Sequence, residues 1–468
     1  MEVKDRDRIS NLPDVLLDNI LSSLPTKDAV ATSVLSWRWR WAFTWVTCLD
    51  FDDSPISHCV EYSHLIDSFP SFKAFVDNIL QACQSERTTT FRLHFAKNNI
   101  SRCLSHYCSE ECLPEMELEH LYAWMKFPLT RGVTQIDICA RVQNPGKLPS
   151  ALYSCRTLEV LKLNVTFDLE VPLSMCLPNL KELHLTKYDF PVDDSVSRLV
   201  SSCPSLELLA LKGHLTPSSP FSISSPSLRR LTINFLVWDG RPRSKLVLDV
   251  PNLEYLMYQD VLAMQYSIGD LNSLVEAEVD TMLFYTSERQ IDNILSFLSP
   301  LSNVRRLFLM RGCVEAVNYC GLNHKLPVFR NLNHLELGCL GYYNWHTVLM
   351  ELLNCTPFLK TLIFPEGIMY SPDDDICTEV SETDCQSWST SQTIPSCVGF
   401  HLKRISVNKY ELTEWELAMV KYFLRNALVL EELIVICITS MPLADRILLN
   451  ATLQKLPRGS MTCSIKVQ

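Results

Sequence analysis

Glycine is scarce, with 12 in 468 residues, and none stands in a Gly-x-x-x-x-Gly-Lys, Gly-x-Gly-x-x-Gly or Gly-x-Ser-x-Gly setting. Phosphate cradles of the usual kinds and a strained nucleophile elbow are thereby excluded, and no His-Glu-x-x-His pair supplies a metalloprotease helix. Positive charge is also short: 42 Lys plus Arg face 53 Asp plus Glu, a formal charge of -11, with no basic tract. Sequence-independent nucleic-acid binding needs clustered cations that displace counterions from phosphates, so that class is excluded too. The run Trp37-Arg-Trp-Arg-Trp41 carries only two cations and is followed by Asp50, Asp52 and Asp53, which argues against stacking on nucleic acid or insertion into a membrane. No apolar stretch approaches the length of a membrane span. The opening Met-Glu-Val-Lys-Asp-Arg-Asp-Arg is charged where a signal peptide would be apolar. The expected setting is the cytosol or nucleus, with no membrane partner.

Cysteine is plentiful, but the 19 are odd in number and scattered over a long chain, so they read as reduced, mostly buried small hydrophobes. Cys103, His106, Cys108 and Cys112, with His120 downstream, have zinc-capable side chains in a spacing that matches no finger or ribbon. Neither a metal nor any other cofactor is expected.

With 47% apolar and 20% charged residues the chain has the composition of a folded protein. Beyond residue 130 one phrase recurs: apolar, two variable, apolar, one variable, apolar. It runs nine times from Leu158/Leu161/Leu163 to Leu359/Leu362/Phe364, with starts 21 to 30 residues apart. That period is the range of leucine-rich repeats. Proline introduces many copies, as at Pro178, Pro204, Pro226, Pro251 and Pro357, where it marks the turn into a strand. A further copy is expected at Val133/Ile136/Ile138, and Thr90/Leu93/Phe95 is expected to begin the array. Val192 to Cys203, with Val196, Leu199 and Val200 at helical spacing, predicts a helix on the convex side. No single unit can bury its own apolar face, so stacking is required, and it makes one continuous core beneath a parallel sheet.

Side chains alternate across a strand, so residues flanking the second and third apolar positions face the concave side. Three neighbouring strands then present Tyr255, Met257 and Gln259; Glu276, Glu278 and Asp280; and Arg306, Phe308 and Met310. If register is kept, Arg306 lies beside Glu276, while Glu278 and Asp280 have no cation opposite them. A solvated acidic strand is one reading of this patch. The other is a target-binding surface of Tyr255, Met257, Glu276, Glu278, Asp280, Arg306, Phe308 and Met310, suited to a segment carrying Lys or Arg beside a hydrophobic residue.

The N-terminus is organised differently. Pro13 predicts a helix start, Asp14 suits its first turn, and Leu17, Ile20, Leu21 and Leu24 form one stripe before Pro25 stops it. Thr26 is expected to cap a second helix through Ala29, Val30, Ser33 and Val34. Ser36 is expected to cap a third helix, along which Trp37, Trp41 and Trp45 recur at i, i+4 and i+8. Three such helices are too small to bury a core alone, so a partner is expected to cover them.

The run from Asp7 to Asp53, including Arg8-Ile-Ser-Asn-Leu-Pro, Leu24-Pro-Thr-Lys-Asp-Ala-Val-Ala-Thr-Ser-Val-Leu-Ser and Arg38-Trp-Arg, resembles the F-box of plant F-box/LRR/FBD proteins. Departures from that pattern fall at Val15, Ser23, Trp37 and Phe43. Ile394-Pro-Ser-Cys, His401-Leu-Lys, Glu414 through Leu430 and Pro457-Arg-Gly-Ser-Met-Thr-Cys resemble the FBD region of the same family. The resemblance implies an α/β protein in which a three-helix F-box precedes a leucine-rich-repeat solenoid with a parallel concave sheet and convex helices, closed by a terminal repeat region. The expected division is F-box 1–53, a connecting region 54–132 with a first repeat, repeats 133–365, an acidic loop 366–393, and an FBD cap 394–468. It implies a non-catalytic substrate receptor of an SCF-type cullin-RING ubiquitin ligase, which binds a Skp-type adaptor through the F-box and a protein target through the repeats. Leu12, Pro13, Ile20, Leu21, Leu24, Val30, Val34 and Trp39 are the implied adaptor contacts or their supports. An interaction scaffold with weak or no ligase assembly is the alternative.

Overall fold

The computed structural model describes residues 9, 12–53, 68–95, 115–144, 146–190, 194–215, 221–235, 245–261, 265–282, 288–310, 313–314, 326–338, 345–368 and 393–468. They fall into two compact units, Met1–Thr216 and Pro217–Gln468. Cys103, His106, Cys108 and Cys112, and all but the first residues of the expected acidic loop, lie outside the described residues.

In the first unit, Pro13 and Pro25 precede helices α1 (Asp14–Ser22) and α2 (Thr26–Ala31), their fixed φ pre-set for helix entry. Thr26 does not cap α2. Its hydroxyl instead accepts the Asp50 backbone N–H at 2.7 Å, tying the helix to the first strand. The expected third helix is also absent: the segment forms two 3₁₀ turns, Thr32–Val34 and Trp39–Trp45. With three residues per turn, positions four apart are rotated by about 120°, so the spacing of Trp37, Trp41 and Trp45 no longer makes a stripe. All three are exposed, and Trp39 is buried in their place.

Six parallel strands follow in chain order: β1 (Cys48–Asp52), β2 (Thr90–His94), β3 (Gln135–Ala140), β4 (Val160–Val165), β5 (Glu182–Phe190) and β6 (Leu208–Leu215). Leu49, Phe91, Ile136, Leu161, Leu183 and Leu209 lie side by side in register. Two corrections follow from that row. The second copy of the phrase is Thr88/Phe91/Leu93 rather than Thr90/Leu93/Phe95, a shift of two residues that leaves the same side chains inside. The first copy is Val46/Leu49/Phe51, all buried, so the array begins within the segment assigned to the F-box. Helices α3 (Ser68–Ala82) and α4 (Leu118–Leu129) cover the inner face. There Phe69, Phe72, Phe95 and Trp124 pack ring to ring, and the Trp124 indole donates to Asp77 at 2.8 Å. Helix α5 (Ser195–Ser201) forms where the spacing of Val196, Leu199 and Val200 places it, with all three buried.

The second unit has its own parallel ladder. A three-stranded sheet of β7 (Phe221–Ser224), β9 (Leu246–Asp249) and β11 (Tyr266–Ile268) packs beside strands β8 (Arg230–Phe235), β10 (Tyr255–Val261) and β12 (Glu276–Met282). Phe221 contacts Phe235, and Phe297 contacts both Tyr258 and Tyr266. Strands replace the expected convex helices here because Phe221-Ser-Ile-Ser and Leu246-Val-Leu-Asp alternate with period two and bury every second residue. The ladder continues through β13 (Arg306–Leu309), β14 (His334–Leu337), β15 (Thr361–Phe364), β16 (Arg404–Tyr410), β17 (Glu432–Cys437) and β18 (Ser464–Val467). Helices α6 (Glu288–Leu298), α7 (Trp345–Asn354), α8 (Ser396–Phe400), α9 (Glu414–Asn426) and α10 (Leu443–Lys455) alternate with these strands. Strands β16 and β17 with α9 match the repeat phrases at Leu402/Ile405/Val407 and Leu430/Leu433/Val435. Strand β18 is additional. Its phrase opens on Thr462 instead of an apolar residue, which hides it in the sequence. Among the described residues no helix is long and apolar enough to cross a membrane.

Candidate interaction surfaces

The first surface is carried by α1, α2 and the 3₁₀ turns. Leu17 and Leu21 point inward from α1, and Ala29 and Trp39 close over them, forming a minimal core. The opposite sides stay open: Val15 is 70% exposed, Val34 85% and Trp37 82%, with Leu16, Ile20, Leu35, Trp41 and Trp45 also exposed. Of the residues expected to serve an adaptor, Pro13, Ile20 and Val34 are exposed, Leu12, Leu24 and Val30 are half-buried, and Leu21 and Trp39 are buried. The last two therefore support the surface from beneath. Arg38 pairs with Asp14 at 2.5 Å and fastens the turn to the start of α1. The Arg40 guanidinium lies 5.1 Å from the Trp37 ring and 5.7 Å from Trp41, a cation–π arrangement that keeps both indoles outward. Of the four departures, Val15 and Trp37 are exposed, Phe43 is half-buried, and the Ser23 hydroxyl donates to the Ile20 carbonyl at 2.7 Å.

The second surface is the open side of the second unit's ladder. Strand alternation places Tyr255, Met257 and Gln259, then Glu276, Glu278 and Asp280, then Arg306 and Phe308 on one face, as the phrase predicts. The register is kept: Met257 pairs with Glu278, Glu276 with Arg306 and Glu278 with Phe308. Arg306 meets Glu276 at 3.7 Å. Among the described residues, the side chains that hydrogen-bond Glu278 and Asp280 are neutral donors. The Tyr255 hydroxyl donates to Glu278 at 2.9 Å, and the Gln259 amide donates to Asp280 at 3.0 Å. Burial and the hydrogen bond to Glu278 push the Tyr255 phenol up to about 12. Burial raises the Asp280 carboxyl, and the nearby Glu366 adds to the effect. Met310 follows the last residue of β13; its N–H still donates to the Val279 carbonyl at 2.9 Å, while its own carbonyl accepts the N–H groups of Cys313 and Val314 and opens a turn.

Two residues of this face were missed in the sequence. His334 and Glu336 on β14 lie beside Arg306 and Phe308 in register, and the His334 ring nitrogen meets Glu336 at 2.7 Å. That bond, with Arg306 nearby, holds the Glu336 carboxyl below the usual glutamate range. The same alternation about Leu332/Leu335/Leu337 would have found them. Glu276, Glu278, Arg306, Phe308, His334 and Glu336 line a cavity of about 310 Å³.

The first unit's sheet carries a contrasting cluster. Arg92 pairs with Asp50 at 3.0 Å and Asp52 at 3.2 Å, and its Nε donates to His94 Nδ1 at 3.2 Å. His94 is buried, with Nε2 at 3.0 Å from Asp137. Since Nδ1 accepts, Nε2 carries the proton and donates to Asp137. These contacts link β1, β2 and β3 side by side. His120, the one described member of the zinc-capable group, packs edge-to-face with Phe69 at 5.7 Å and lies 3.5 Å from Glu117.

Comparison with known families agrees with this architecture. Residues 9–44 match the F-box domain, residues 121–272 match the LRR repeats of the FBD-associated F-box protein At5g56370, and residues 391–435 match the FBD family. The chain is 32% identical to the F-box/LRR-repeat protein At4g14103 of Arabidopsis thaliana over 392 residues, covering 80% of this chain and 95% of that one. With F-box/LRR-repeat protein At4g14096 of the same plant the identity is 30% over 475 residues, covering 99% and 95%. With F-box/LRR-repeat protein At3g59200 it is 32% over 496 residues, covering 100% and 89%. F-box, leucine-rich-repeat and FBD matches thus follow one another along the strands and helices described above, the relatives are matched over nearly their whole length, and the chain belongs to the F-box/LRR-repeat protein family.

Proposed function

We propose that this protein is the non-catalytic substrate receptor of an SCF-type cullin-RING ubiquitin ligase, working in the cytoplasm or nucleus. The observation that carries the reading is the set of large apolar side chains exposed on the N-terminal helices, Val15, Leu16, Ile20, Val34 and Leu35 among them. Water-exposed apolar surface of this kind on so small a helical unit is stabilised when a partner buries it. A Skp-type adaptor is the partner that the F-box implies, and through it the cullin. The open face of the repeats then holds a protein target. No side chain of this chain need touch the reacting atoms: holding target lysines close to the loaded conjugating enzyme raises their effective concentration, which is itself a large rate effect.

Co-expression with a Skp-type adaptor tests this. A partner that binds only the folded state stabilises it by mass action, so soluble yield is expected to rise and the two chains to co-purify with a cullin. Replacing Leu12 and Pro13 together by alanine is expected to abolish adaptor capture while circular dichroism shows the repeats intact. Adaptor-independent solubility together with unchanged titration calorimetry for the double variant would overturn the reading in favour of a scaffold.

A further inference from the structure

The strand registers set one row of residues across five neighbouring strands of the second unit. Met257 lies beside Glu278, Glu278 beside Phe308, Phe308 beside Glu336 and Glu336 beside Ile363. The row therefore reads apolar, acidic, aromatic, acidic, apolar, symmetric about Phe308. All five side chains are half-buried on the open face, and the cavity of about 310 Å³ is lined by the central three together with Glu276, Arg306 and His334.

Adjacent strands are about 4.8 Å apart, so each carboxylate stands one strand from the Phe308 ring. A cation seated over an aromatic ring is attracted by the ring's quadrupole, and more strongly where water is excluded. Two carboxylates flanking that ring add charge-assisted hydrogen bonds. Both are already oriented by neighbours, Glu278 by the Tyr255 hydroxyl at 2.9 Å and Glu336 by His334 at 2.7 Å. A carboxylate has about four acceptor positions, so one such bond leaves capacity for a ligand. Among the described residues the guanidinium in the lining is that of Arg306, which sits in the adjacent row and leans on Glu276 at 3.7 Å. The three carboxylates of the lining, Glu276, Glu278 and Glu336, outnumber its two basic side chains, Arg306 and His334.

We propose that this cavity is the central pocket of the target-binding face, and that it takes an arginine or lysine side chain over Phe308, between Glu278 and Glu336. Met257 and Ile363 each lie two strands from Phe308, roughly 10 Å. That distance is about three residues of a polyproline-II segment, which rises about 3.1 Å per residue and returns to the same face every third residue, so the preferred segment has an apolar residue three positions on either side of its cation. The proposal rests on the receptor reading in one respect: it takes the occupant to be a segment of a protein target.

The test uses the full-length protein and a fluorescein-labelled peptide, Leu-Ala-Ala-Arg-Ala-Ala-Leu, read by fluorescence anisotropy at low ionic strength. Replacing the arginine by citrulline, which keeps the shape and removes the charge, is expected to weaken binding about tenfold or more. The double variant Glu278→Gln, Glu336→Gln is expected to weaken the arginine peptide to a similar extent, and Phe308→Leu by about threefold or more. Absence of saturable binding by the arginine peptide, equal affinity for the citrulline peptide, or an unchanged affinity in a double variant that melts like the parent would each overturn the pocket. The citrulline comparison needs no variant and therefore decides the matter even if the substitutions impair folding. Adaptor capture by the same preparations is scored separately: its loss with peptide discrimination intact overturns the ligase reading and leaves the pocket standing.

Discussion

At the scale of single residues, the open face of the second unit shows how burial and function pull on one carboxyl. Asp280 is half-buried, accepts one bond from Gln259 and lies close enough to Glu366 for the two charges to repel, and its carboxyl is raised for those reasons, burial first. A carboxyl raised in the folded state contributes stability that is fully present below its unfolded pKa and is lost as pH rises through the folded value. Ionised Asp280 therefore costs stability at neutral pH. Asp280→Asn is expected to raise the urea midpoint at pH 7.5, and the gain is expected to shrink as pH falls towards 4.5. A gain that grows on acidification would contradict the assignment. Gly213 makes a second residue-scale case. It sits at φ 145°, where the pairing of β5 with β6 slips by one residue, and a Cβ there would collide with the Lys187 carbonyl. Gly213→Ala is expected to destabilise by roughly 1–3 kcal/mol in urea melts, because no flexible side chain can yield.

At the scale of elements, helix α9 depends on a reciprocal cap. The Thr413 hydroxyl accepts the Glu416 N–H, and the Glu416 carboxylate accepts the Thr413 N–H at 3.0 Å. Thr413→Ala is expected to cost about 1 kcal/mol, seen as a lower chemical-denaturation midpoint with an unchanged slope. The strands that α9 separates were legible in the sequence because each carries the full phrase, Leu402/Ile405/Val407 and Leu430/Leu433/Val435. Where the phrase failed, the reason is local. Thr90/Leu93/Phe95 fits as well as Thr88/Phe91/Leu93, since a shift of two keeps every side chain on its face, and only the pairing of Phe91 with Leu49 and Ile136 decides. The strands β7, β9 and β11 stand between ladder strands, where the resemblance implies convex helices in general, and the period-two alternation of β7 and β9 favours strand. The open-face residues from Tyr255 to Phe308 were legible by alternation. Glu336 belongs to the same row and was missed, although alternation about Leu332/Leu335/Leu337 reaches it; what the sequence leaves open is the register between strands far apart in the chain, which sets Glu278 and Glu336 on either side of Phe308.

At the scale of the whole molecule, the decisive feature is that the first repeat, starting at Val46, follows the F-box match at residues 9–44 without a linker and lies inside the expected 1–53 division. Starts at Val46, Thr88 and Val133 are 42 and 45 residues apart (88 − 46 and 133 − 88), well beyond the usual repeat length of about 20 to 29, which conceals the first two copies. In the structure, β1 pairs along its whole length with β2, and Asp50 and Asp52 on β1 hold Arg92 on β2. The short helix α2 lies against β1 through the bond from Asp50 N–H to Thr26. The N-terminal helices thus protect the edge of the first unit's sheet, and an adaptor bound to them would be fixed relative to that sheet instead of hanging from a linker. Removing residues 1–53 as if they were a separate domain would delete β1, expose the edge of β2, and leave Arg92 without Asp50 and Asp52. Exposed edges invite pairing between chains. A chain beginning at Ser54 is therefore expected to aggregate, whereas one beginning at Val46, which keeps β1 and its ion pairs to Arg92 but loses the helices that cover its edge, is expected to remain more soluble than the Ser54 chain and to show no adaptor capture. Size-exclusion chromatography with light scattering on both chains checks this, and equal behaviour of the two would mean that β1 adds nothing to the fold of the first unit.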